Sequence, residues 1–350
     1  MAAVLRPLSS VPRDAVQDYL RSQGESANLI DWKYFDPIFN RDRQRGHVYI
    51  SDGRIAGFIG LIPFHIVEGG KRIPSAWSCD WFRDSSAPGA MGIMLVRECL
   101  KSYERIYSLG GSEATRKILP KLARLTVDDA GVVLHKPLRL GGILRPLRNR
   151  SGWPFLDLLS FLDNVPLPRL PRNPRPTVAG LETGLVQSKI PLPLDGNGCR
   201  CHPDYDFDYL DWQIGRCPSI VAGTCSVPPN TNPKAAVLFW RPVTSSQFWR
   251  MVVLIRPGAH DAAALAIDKV VRHVATHRGV LISVLVSRLD GGLLRLLKHK
   301  GFLSENSRRP LYVLTHNADQ TIEEPGHLSF LDTDWAYRFP ALANESSARS

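Results

Sequence analysis

The chain has 350 residues, with 44 Lys and Arg against 33 Asp and Glu, and a formal net charge of +11. Its 44% of hydrophobic and 22% of charged residues are typical of a globular protein and exclude collagen-like, coiled-coil and wholly disordered chains. No apolar run reaches the roughly 18 residues that a membrane-spanning helix needs, so a transmembrane protein is not expected.

The N-terminal ten residues lack the apolar stretch of a secretion signal, which predicts a cytoplasmic protein. The excess of basic residues predicts an anionic partner without identifying it. Six cysteines are too few and too unevenly spaced for a disulfide scaffold, and reduced thiols are expected at Cys79, Cys99, Cys199, Cys201, Cys217 and Cys225.

Short strands and helices alternate in the first half of the chain. Residues 47–51 alternate in polarity, meet the turn Asp52-Gly53 and continue into a strand at 55–62, which predicts a hairpin. The further predicted elements are a strand at 73–82, a Pro/Gly loop at 87–92, a helix at 93–105, a strand at 105–109, a helix at 114–125 and a strand at 132–138.

The second half repeats this order. Its predicted elements are strands at 236–240 and 248–255, a loop at 256–260, a helix at 262–277, a strand at 280–287 and a helix at 293–300. Gly301 follows the basic end of the last helix and is expected in the left-handed conformation that ends many helices.

Arginine and proline crowd the region between the halves, where acidic residues are almost absent. Proline removes backbone donors and restricts the residue before it, which predicts a linker rather than a helix or a central strand. The expected organisation is a first unit at 1–140, a linker at 141–180, a second unit at 181–335 and a disordered tail at 336–350.

Three pairs of short segments recur in the same order in the two halves. Residues 29–33 (Leu-Ile-Asp-Trp-Lys) match residues 209–213 (Tyr-Leu-Asp-Trp-Gln), 180 positions later. The other pairs are Gly110-Gly111 with Gly291-Gly292 and Lys136-Pro137-Leu138 with Arg309-Pro310-Leu311. Three collinear matches indicate an internal duplication.

This order of elements, with a tryptophan near the start, a glycine-containing loop before a helix, and a Gly-Phe pair before the last strand, resembles the GNAT N-acyltransferase fold. Two such units resemble the FemAB-like and polysaccharide-cluster double acyltransferases, over residues 15–140 and 205–316. The resemblance implies a mixed α/β (α+β) fold of two tandem units, each a mostly antiparallel sheet flanked by helices. It also implies transfer from acetyl-CoA or another acyl-CoA to an amino or hydroxyl group of a sugar or cell-envelope precursor.

In that family, an Arg/Gln-x-x-Gly-x-Gly/Ala loop before a helix binds the pyrophosphate of coenzyme A. Such a site uses the backbone donors of a helix N-terminus and the close approach that glycine allows. The pattern falls on residues 87–92, where Gly92 matches while Ala87 and Ala90 depart. By resemblance, the cofactor-binding residues are Phe82, Arg83, Gly89, Ala90, Met91 and Gly92.

The family often carries a carboxylate on the fourth strand, and Asp80 stands there beside Trp81. The resemblance makes Asp80 the general base, with aromatic crowding raising its proton affinity. The alternative is that Asp80 only turns the strand end. The family often has a tyrosine after the fifth strand that protonates the departing thiolate. No tyrosine stands there in this sequence, so Ser112 and Glu113 are the candidate acids. The alternative is that Ser112 is only the N-cap of the following helix and Glu113 a carboxylate in its first turn.

Other functions have weaker signals. The Cys/His cluster at 199–225 lacks the paired spacing of zinc sites, so no metal is expected, and Cys199 and Cys201 would be surface thiols. No nucleic-acid-binding signature occurs, and no nucleic-acid partner is expected.

An apolar segment flanked by arginines within 145–175 either touches the inner membrane face or bridges the units. The remaining alternative is a non-catalytic pseudo-acyltransferase that binds a glycan or protein between the units.

Overall fold

The computed structural model describes residues 4–39, 43–139, 165, 181–183, 200–228, 233–305, 309–317 and 321–332. Apart from residue 165, the expected linker at 141–180 lies outside the described residues, and so does the expected tail at 336–350. The predicted membrane contact through 145–175 and the thiol of Cys199 fall there as well. None of the described helices has the length and hydropathy that crossing a bilayer requires.

In the first half, an N-terminal strand and two helices precede a strand-rich unit. In chain order the elements are β1 (Val4–Pro7), α1 (Arg13–Ser22), α2 (Ala27–Phe35), β2 (Gly46–Ser51), β3 (Arg54–Glu68), β4 (Lys71–Arg83), α3 (Met91–Ser102), β5 (Arg105–Leu109), α4 (Glu113–Ile118) and β6 (Leu125–Pro137).

The second half follows the same plan. Its elements are β7 (Leu181–Thr183), β8 (Cys201–Asp204), α5 (Phe207–Leu210), which continues as a π-helix over Asp211–Gly215, β9 (Ile220–Val227), β10 (Ala235–Pro242), β11 (Phe248–Ile255), α6 (His260–Thr276), β12 (Leu281–Ser287), α7 (Gly291–His299), β13 (Leu303–Ser304) and β14 (Arg309–Thr315).

Most predicted elements are confirmed within a few residues, and Gly301 has the expected positive φ of 81°. The strands predicted at 55–62 and 132–138 are too short, since β3 continues to Glu68 and β6 begins at Leu125. The helix predicted at 114–125 is wrong in extent, since α4 ends at Ile118 and a single 3-10 turn follows at Leu119–Lys121. Pro120 explains this difference, because proline has no N–H to donate and its ring clashes with the preceding helical turn.

All the described strands belong to one sheet, in the order β1-β2-β3-β4-β5-β14-β6-β12-β11-β10-β9-β7, with β8 on β3 and β13 on β6. β14, near the end of the chain, is inserted between β5 and β6 of the first half. Two parallel neighbours, β4–β5 and β11–β12, interrupt an otherwise antiparallel arrangement. The two halves therefore share their central strands.

Each face of the sheet carries its own core. On the face that we call inner, Trp77, Tyr107, Val252 and Leu285 form one continuous core with α2, the 205–215 segment and residues 328–331. On the outer face, α3 covers the first half and α6 with α7 covers the second. Strand residues alternate between the faces, as in β14, where Leu311 lies inside and Tyr312 outside.

The cysteines do not form a metal centre among the described residues, in which no group of three metal-type side chains occurs. Cys201, Cys217 and Cys225 are buried as free thiols. The expectation of a surface thiol at Cys201 is wrong, because β8 pairs with β3 and packs Cys201 into the inner core at 2% exposure.

Candidate functional site

The most distinctive backbone feature of the first half is a pair of parallel strands that separate. β4 and β5 pair only from Ser75–Arg105 to Trp77–Tyr107. Beyond Trp77, β4 continues to Arg83 beside β3, while the end of β5 pairs with β14. A V-shaped cleft therefore opens between the two strands, and each presents an edge that no described strand pairs.

A β-bulge lies in β4 beside this cleft. Gly60 of β3 faces Cys79 and Phe58 faces Phe82, so Ile59 alone opposes Asp80 and Trp81. Asp80 has a φ of +45°, which is uncommon for a residue with a side chain. Such a bulge leaves one residue outside the ladder and redirects its side chain.

The redirected carboxylate of Asp80 meets two partners from α2. The Lys33 ammonium and the Tyr34 hydroxyl both donate to Oδ2 of Asp80, and all three side chains are buried. Gly60 makes this contact possible, because a Cβ at that position would lie 2.1 Å from the Tyr34 hydroxyl. The expected aromatic crowding of Asp80 is thus replaced by an ion pair, since the bulge separates the carboxylate from Trp81, which packs outside.

The two halves contact each other through the first predicted repeat pair. Trp32 and Trp212 stack with ring centroids 4.6 Å apart and planes inclined by 13°. Each indole Nε1–H donates to the other's backbone oxygen, at 2.9 and 3.1 Å. Asp36 and Arg216 are also 180 positions apart, and Nη1 of Arg216 donates to both carboxylate oxygens of Asp36, at 3.0 and 2.9 Å. The matched segments of the two halves therefore contact each other near the candidate site.

The predicted cofactor-binding residues divide into two groups. Arg83, Gly89 and Ala90 are exposed at the open end of the cleft, where β4 leads through a short loop into α3. Phe82 is half-buried at the end of β4. A Cβ added to Gly89 would contact nothing, so the loop surface there is open.

Met91 and Gly92 instead pack inward in the first turn of α3. A Cβ at Gly57 would lie 2.4 Å from the Met91 sulfur, and a Cβ at Gly92 would lie 2.8 Å from the Trp81 ring. These two residues hold α3 close to the sheet, and their side-chain positions are not open to a ligand.

The candidate acids have local partners at the start of α4. Ser112 caps the helix, with its Oγ accepting from the Thr115 N–H at 3.2 Å. Glu113 is exposed and pairs with Lys117 at 2.7 Å. These contacts match the alternative to a catalytic role, in which Ser112 is the N-cap of α4 and Glu113 a carboxylate in its first turn.

The corresponding region of the second half has regular strands, with Arg250 and Ser283 as a polar pair among mostly apolar residues. β11 and β12 pair in parallel from Phe248–Leu281 to Met251–Val284 and then separate, but β11 keeps an unbroken register with β10. At the ends of these strands, a Cβ on Gly292 would lie 2.6 Å from Nε2 of His260, so His260 bridges the starts of α6 and α7.

The C-terminal segment 321–332 crosses this second cleft on the inner face. Its Pro325 oxygen accepts from the Ser287 hydroxyl at the end of β12, at 3.2 Å. Further along, the Phe330 ring lies 4.6 Å from the guanidinium of Arg250 on β11. The segment therefore bridges the two separating strands, a placement that the sequence did not predict.

The segment ends in a buried polar cluster. The Tyr205 hydroxyl contacts both carboxyl oxygens of Asp332 at 2.6 Å, and the Ser329 N–H also donates to this carboxyl. Burial raises the pKa of Asp332 to about 7, against the lowering effect of these hydrogen bonds. The last described turn is therefore held by a carboxyl that burial keeps partly protonated near neutral pH.

Solved structures with this arrangement of strands and helices cover most of the chain. A GCN5-related N-acetyltransferase from Anabaena variabilis matches 90% of this chain and 73% of its own, with a TM-score of 0.58 and 13% identity. Saccharomyces cerevisiae N-myristoyltransferase with bound myristoyl-CoA matches 90% and 79%, with a TM-score of 0.56 and 11% identity. The chain has the GNAT fold.

A conserved Enterococcus faecalis protein of unknown function, described as a probable N-acyltransferase, also matches 89% of this chain and 71% of its own, with a TM-score of 0.56 and 11% identity. No protein-family model and no curated protein matches the sequence. The predicted mixed α/β fold, with a mostly antiparallel sheet flanked by helices, is confirmed. The FemAB-like and polysaccharide-cluster subtype stays a prediction.

Proposed function

We propose that the protein is an acyltransferase that takes its acyl group from an acyl-CoA held in the cleft of the first half. The observation that carries this proposal is the separation of β4 from β5 beyond Trp77 and Tyr107. Two strand edges that no described strand pairs can receive an extended ligand as an added strand does. The pantetheine arm of coenzyme A is such a ligand, because it is narrow, extended and contains two amides.

The loop after β4 is the proposed site of the coenzyme phosphates. Arg83 brings positive charge to the mouth of the cleft, and α3 begins just beyond the exposed residues Gly89 and Ala90. A helix N-terminus favours anions through its dipole and its unpaired backbone donors. Met91 and Gly92 would contribute backbone rather than side-chain contacts, since both pack inward.

We place the acyl-CoA site in the first half because the matching cleft of the second half is already crossed by the chain itself. There the chain's own residues 325–330 run from β12 to β11 across the inner face of the cleft, and His260 bridges the two helix starts. The yeast neighbour was solved with bound myristoyl-CoA, which supports an acyl-CoA as the donor class.

The proposed acceptor is an amino or hydroxyl group of a sugar or cell-envelope precursor. The net charge of +11 supports an anionic acceptor of this kind, such as a sugar linked to phosphate. Asp80 is the proposed proton acceptor, because it stands at the bulge beside the cleft with Tyr34 and Lys33 to orient it.

The test is calorimetric titration of acetyl-CoA and free coenzyme A into the purified protein. Gly89→Asp places a negative charge on the open loop and should weaken both ligands at least tenfold, while the neutral isostere Gly89→Asn should change affinity less than threefold, each tenfold step being about 1.4 kcal/mol. One bound ligand per chain is expected. No binding to the wild type would reject the acyltransferase in favour of the non-catalytic alternative.

Asp80 is tested separately once an acceptor has been found by screening nucleotide sugars and envelope precursors. Asp80→Asn should lower turnover by about two powers of ten, the usual size of a general-base effect, with coenzyme A affinity retained. Unchanged turnover in a folded variant would remove Asp80 from the mechanism while leaving the donor site intact.

A further inference from the structure

The point at which β4 and β5 separate is lined by buried polar groups for which the described residues provide no hydrogen-bond partner. Trp77 and Tyr107 form the last pair of the parallel ladder, and both side chains are fully buried. Their rings lie 5.3 Å apart and contact Phe64 at 5.2 and 5.5 Å. Within the part of the chain that the structure describes, neither the Nε1–H of Trp77 nor the hydroxyl of Tyr107 has a partner at hydrogen-bond geometry.

A third donor lies next to them on the same face of β5. Arg105 is buried and uses both terminal nitrogens on the Glu68 carboxylate, at 3.0 and 2.5 Å. Its Nε–H has no partner among the described residues. Burial raises the pKa of the Tyr107 hydroxyl and outweighs the lowering effect of the neighbouring Arg105 guanidinium, so this group remains an O–H donor at neutral pH. Donors thus gather here, and the Glu68 carboxylate beside them is already paired with Arg105.

Unpaired buried donors are costly and rare, so a cluster of them needs an explanation. The second half treats its polar groups differently. Its last inner-face pair in the parallel ladder is Arg250 with Ser283, and the apolar Val252 and Leu285 follow. There the Phe330 ring packs on the Arg250 guanidinium and the Ser283 hydroxyl contacts His135 at 2.9 Å. At the vertex of the cleft that we propose to hold the acyl-CoA, no described residue hydrogen-bonds the Trp77 Nε1–H.

The position of the donors relative to the bulge indicates which part of a ligand they would meet. Trp77 precedes Asp80 by three residues of extended chain, or about 10 Å. A coenzyme entering from the loop at 84–90 reaches the bulge first and the Trp77–Tyr107 pair last. The group that arrives there is the acyl chain.

We propose that the acyl chain of the donor carries an uncharged oxygen, a hydroxyl or a keto group, that accepts hydrogen bonds from Trp77 Nε1–H and Tyr107 O–H. This inference rests on the proposed function and specifies its donor. An unsubstituted chain leaves the donors unpaired. A chain ending in a carboxylate brings a further charge into a buried site whose arginine is already neutralised by Glu68, which is unfavourable.

The experiment measures binding and needs no acceptor. Hexanoyl-CoA is compared by calorimetry with 3-hydroxyhexanoyl-, 3-oxohexanoyl-, 6-hydroxyhexanoyl- and adipoyl-CoA, with free coenzyme A as reference. At least one of the uncharged oxygenated chains should bind about tenfold or more tightly than hexanoyl-CoA, as expected when buried donors gain an acceptor. Equal binding of all the uncharged chains, or strongest binding of adipoyl-CoA, would overturn the inference.

The decisive variant is Tyr107→Phe, which removes one oxygen and keeps the ring. It should reduce the preference for the oxygenated chain to below about threefold, leave free coenzyme A binding unchanged, and leave the protein as stable as before or more so, because an unpaired buried donor is lost. Tyr312→Phe, a buried tyrosine of β14 on the outer face, is the matched control and should keep the preference.

The outcomes separate the two proposals. Coenzyme A binding without discrimination among chains, or a preference that persists in Tyr107→Phe, rejects the oxygenated acyl group and leaves the acyl-CoA site standing. Failure of free coenzyme A and every thioester to bind rejects both.

Discussion

The two halves differ most at the same place in their topology, where two parallel strands separate. In the first half a bulge turns Asp80 toward Lys33 and Tyr34, and Trp77 and Tyr107 line the vertex of the cleft. In the second half the strands are regular, and the chain's own residues 325–330 cross between them and contact the polar residues Arg250 and Ser287.

This contrast teaches what a duplicated backbone does and does not preserve. Both halves keep the separating strands, because the strand order itself produces them. Buried charges and unpaired donors are costly in either half. The group formed by Trp77, Tyr107 and Arg105 at the vertex of the first cleft is therefore our guide to the half that binds a ligand. Each of the following predictions compares one half with the other.

The largest effect is expected from breaking the buried ion pair of the first half. Lys33→Met leaves the Asp80 carboxylate buried without its ammonium and should lower the free energy of unfolding by about 3–5 kcal/mol. Gln213→Met, at the equivalent position 180 residues later, loses a hydrogen bond to the Leu331 oxygen and should cost about 1 kcal/mol. Urea denaturation of both variants measures the difference, and equal costs would refute the asymmetry.

The second effect concerns pH and the buried carboxyl of the second half. The pKa of Asp332 is raised by burial to about 7, above that of the unfolded chain, so this group's contribution to stability is lost as pH rises from about 4 to 7. At about 1.4 kcal/mol per pKa unit, the loss amounts to a few kcal/mol. Asp332→Asn removes the titration, so wild type should lose stability relative to this variant between pH 4.5 and 7.5.

Asp36, which joins the halves through Arg216, should show the opposite slope. Burial alone would raise its pKa, but hydrogen bonds from the Phe39 and Ile38 N–H groups and the charge of Arg216 outweigh it and lower the pKa. The stability that this group contributes is therefore lost as pH falls. The difference in free energy of unfolding between wild type and Asp36→Asn should shrink only as the pH becomes acidic. If this difference and the one for Asp332→Asn changed with pH in the same direction, these assignments would be contradicted.

The third effect tests how closely the first half is packed around Tyr34. Gly60→Ala forces a Cβ to within 2.1 Å of the Tyr34 hydroxyl and should cost about 1–3 kcal/mol as the ring is displaced from Asp80. Gly89→Ala, on the open loop, is the control and should change stability by less than about 0.5 kcal/mol. A Gly60→Ala protein as stable as the control would show that Tyr34 is free to move.

The smallest effects are expected at the helix caps. Asp290 caps α7, which buries Leu293 and Leu297, so Asp290→Ala should cost about 1 kcal/mol. Ser112 caps α4, in which no residue is buried, and Ser112→Ala should cost less, only a few tenths. Thermal unfolding compares the two variants. A loss of transfer activity in Ser112→Ala without a matching loss of stability would restore Ser112 as a catalytic candidate.

Much of the local structure follows from the sequence. Alternating polarity predicts β2 and β3, glycine and proline mark the loop before α3, and Gly301 ends α7 as expected. Asp80 also has a signal in the sequence, since it is the one charge in the run from Ile73 to Phe82, and such charges are rarely buried unless they are paired. Nothing comparable marks its partner Lys33, which has Asp31 and Asp36 close by in the sequence.

The sequence by itself predicted most strands and helices of residues 46–109 and 235–300, because these depend on neighbours within a few residues. It also predicted an internal duplication from three short matches between the halves. Only the tertiary structure decided that β14 crosses into the first half, that Asp80 turns to Lys33, and that residues 325–330 cover the second cleft. These contacts join residues tens to hundreds of positions apart, and they depend on strand register and on the burial of polar groups, which no local pattern encodes.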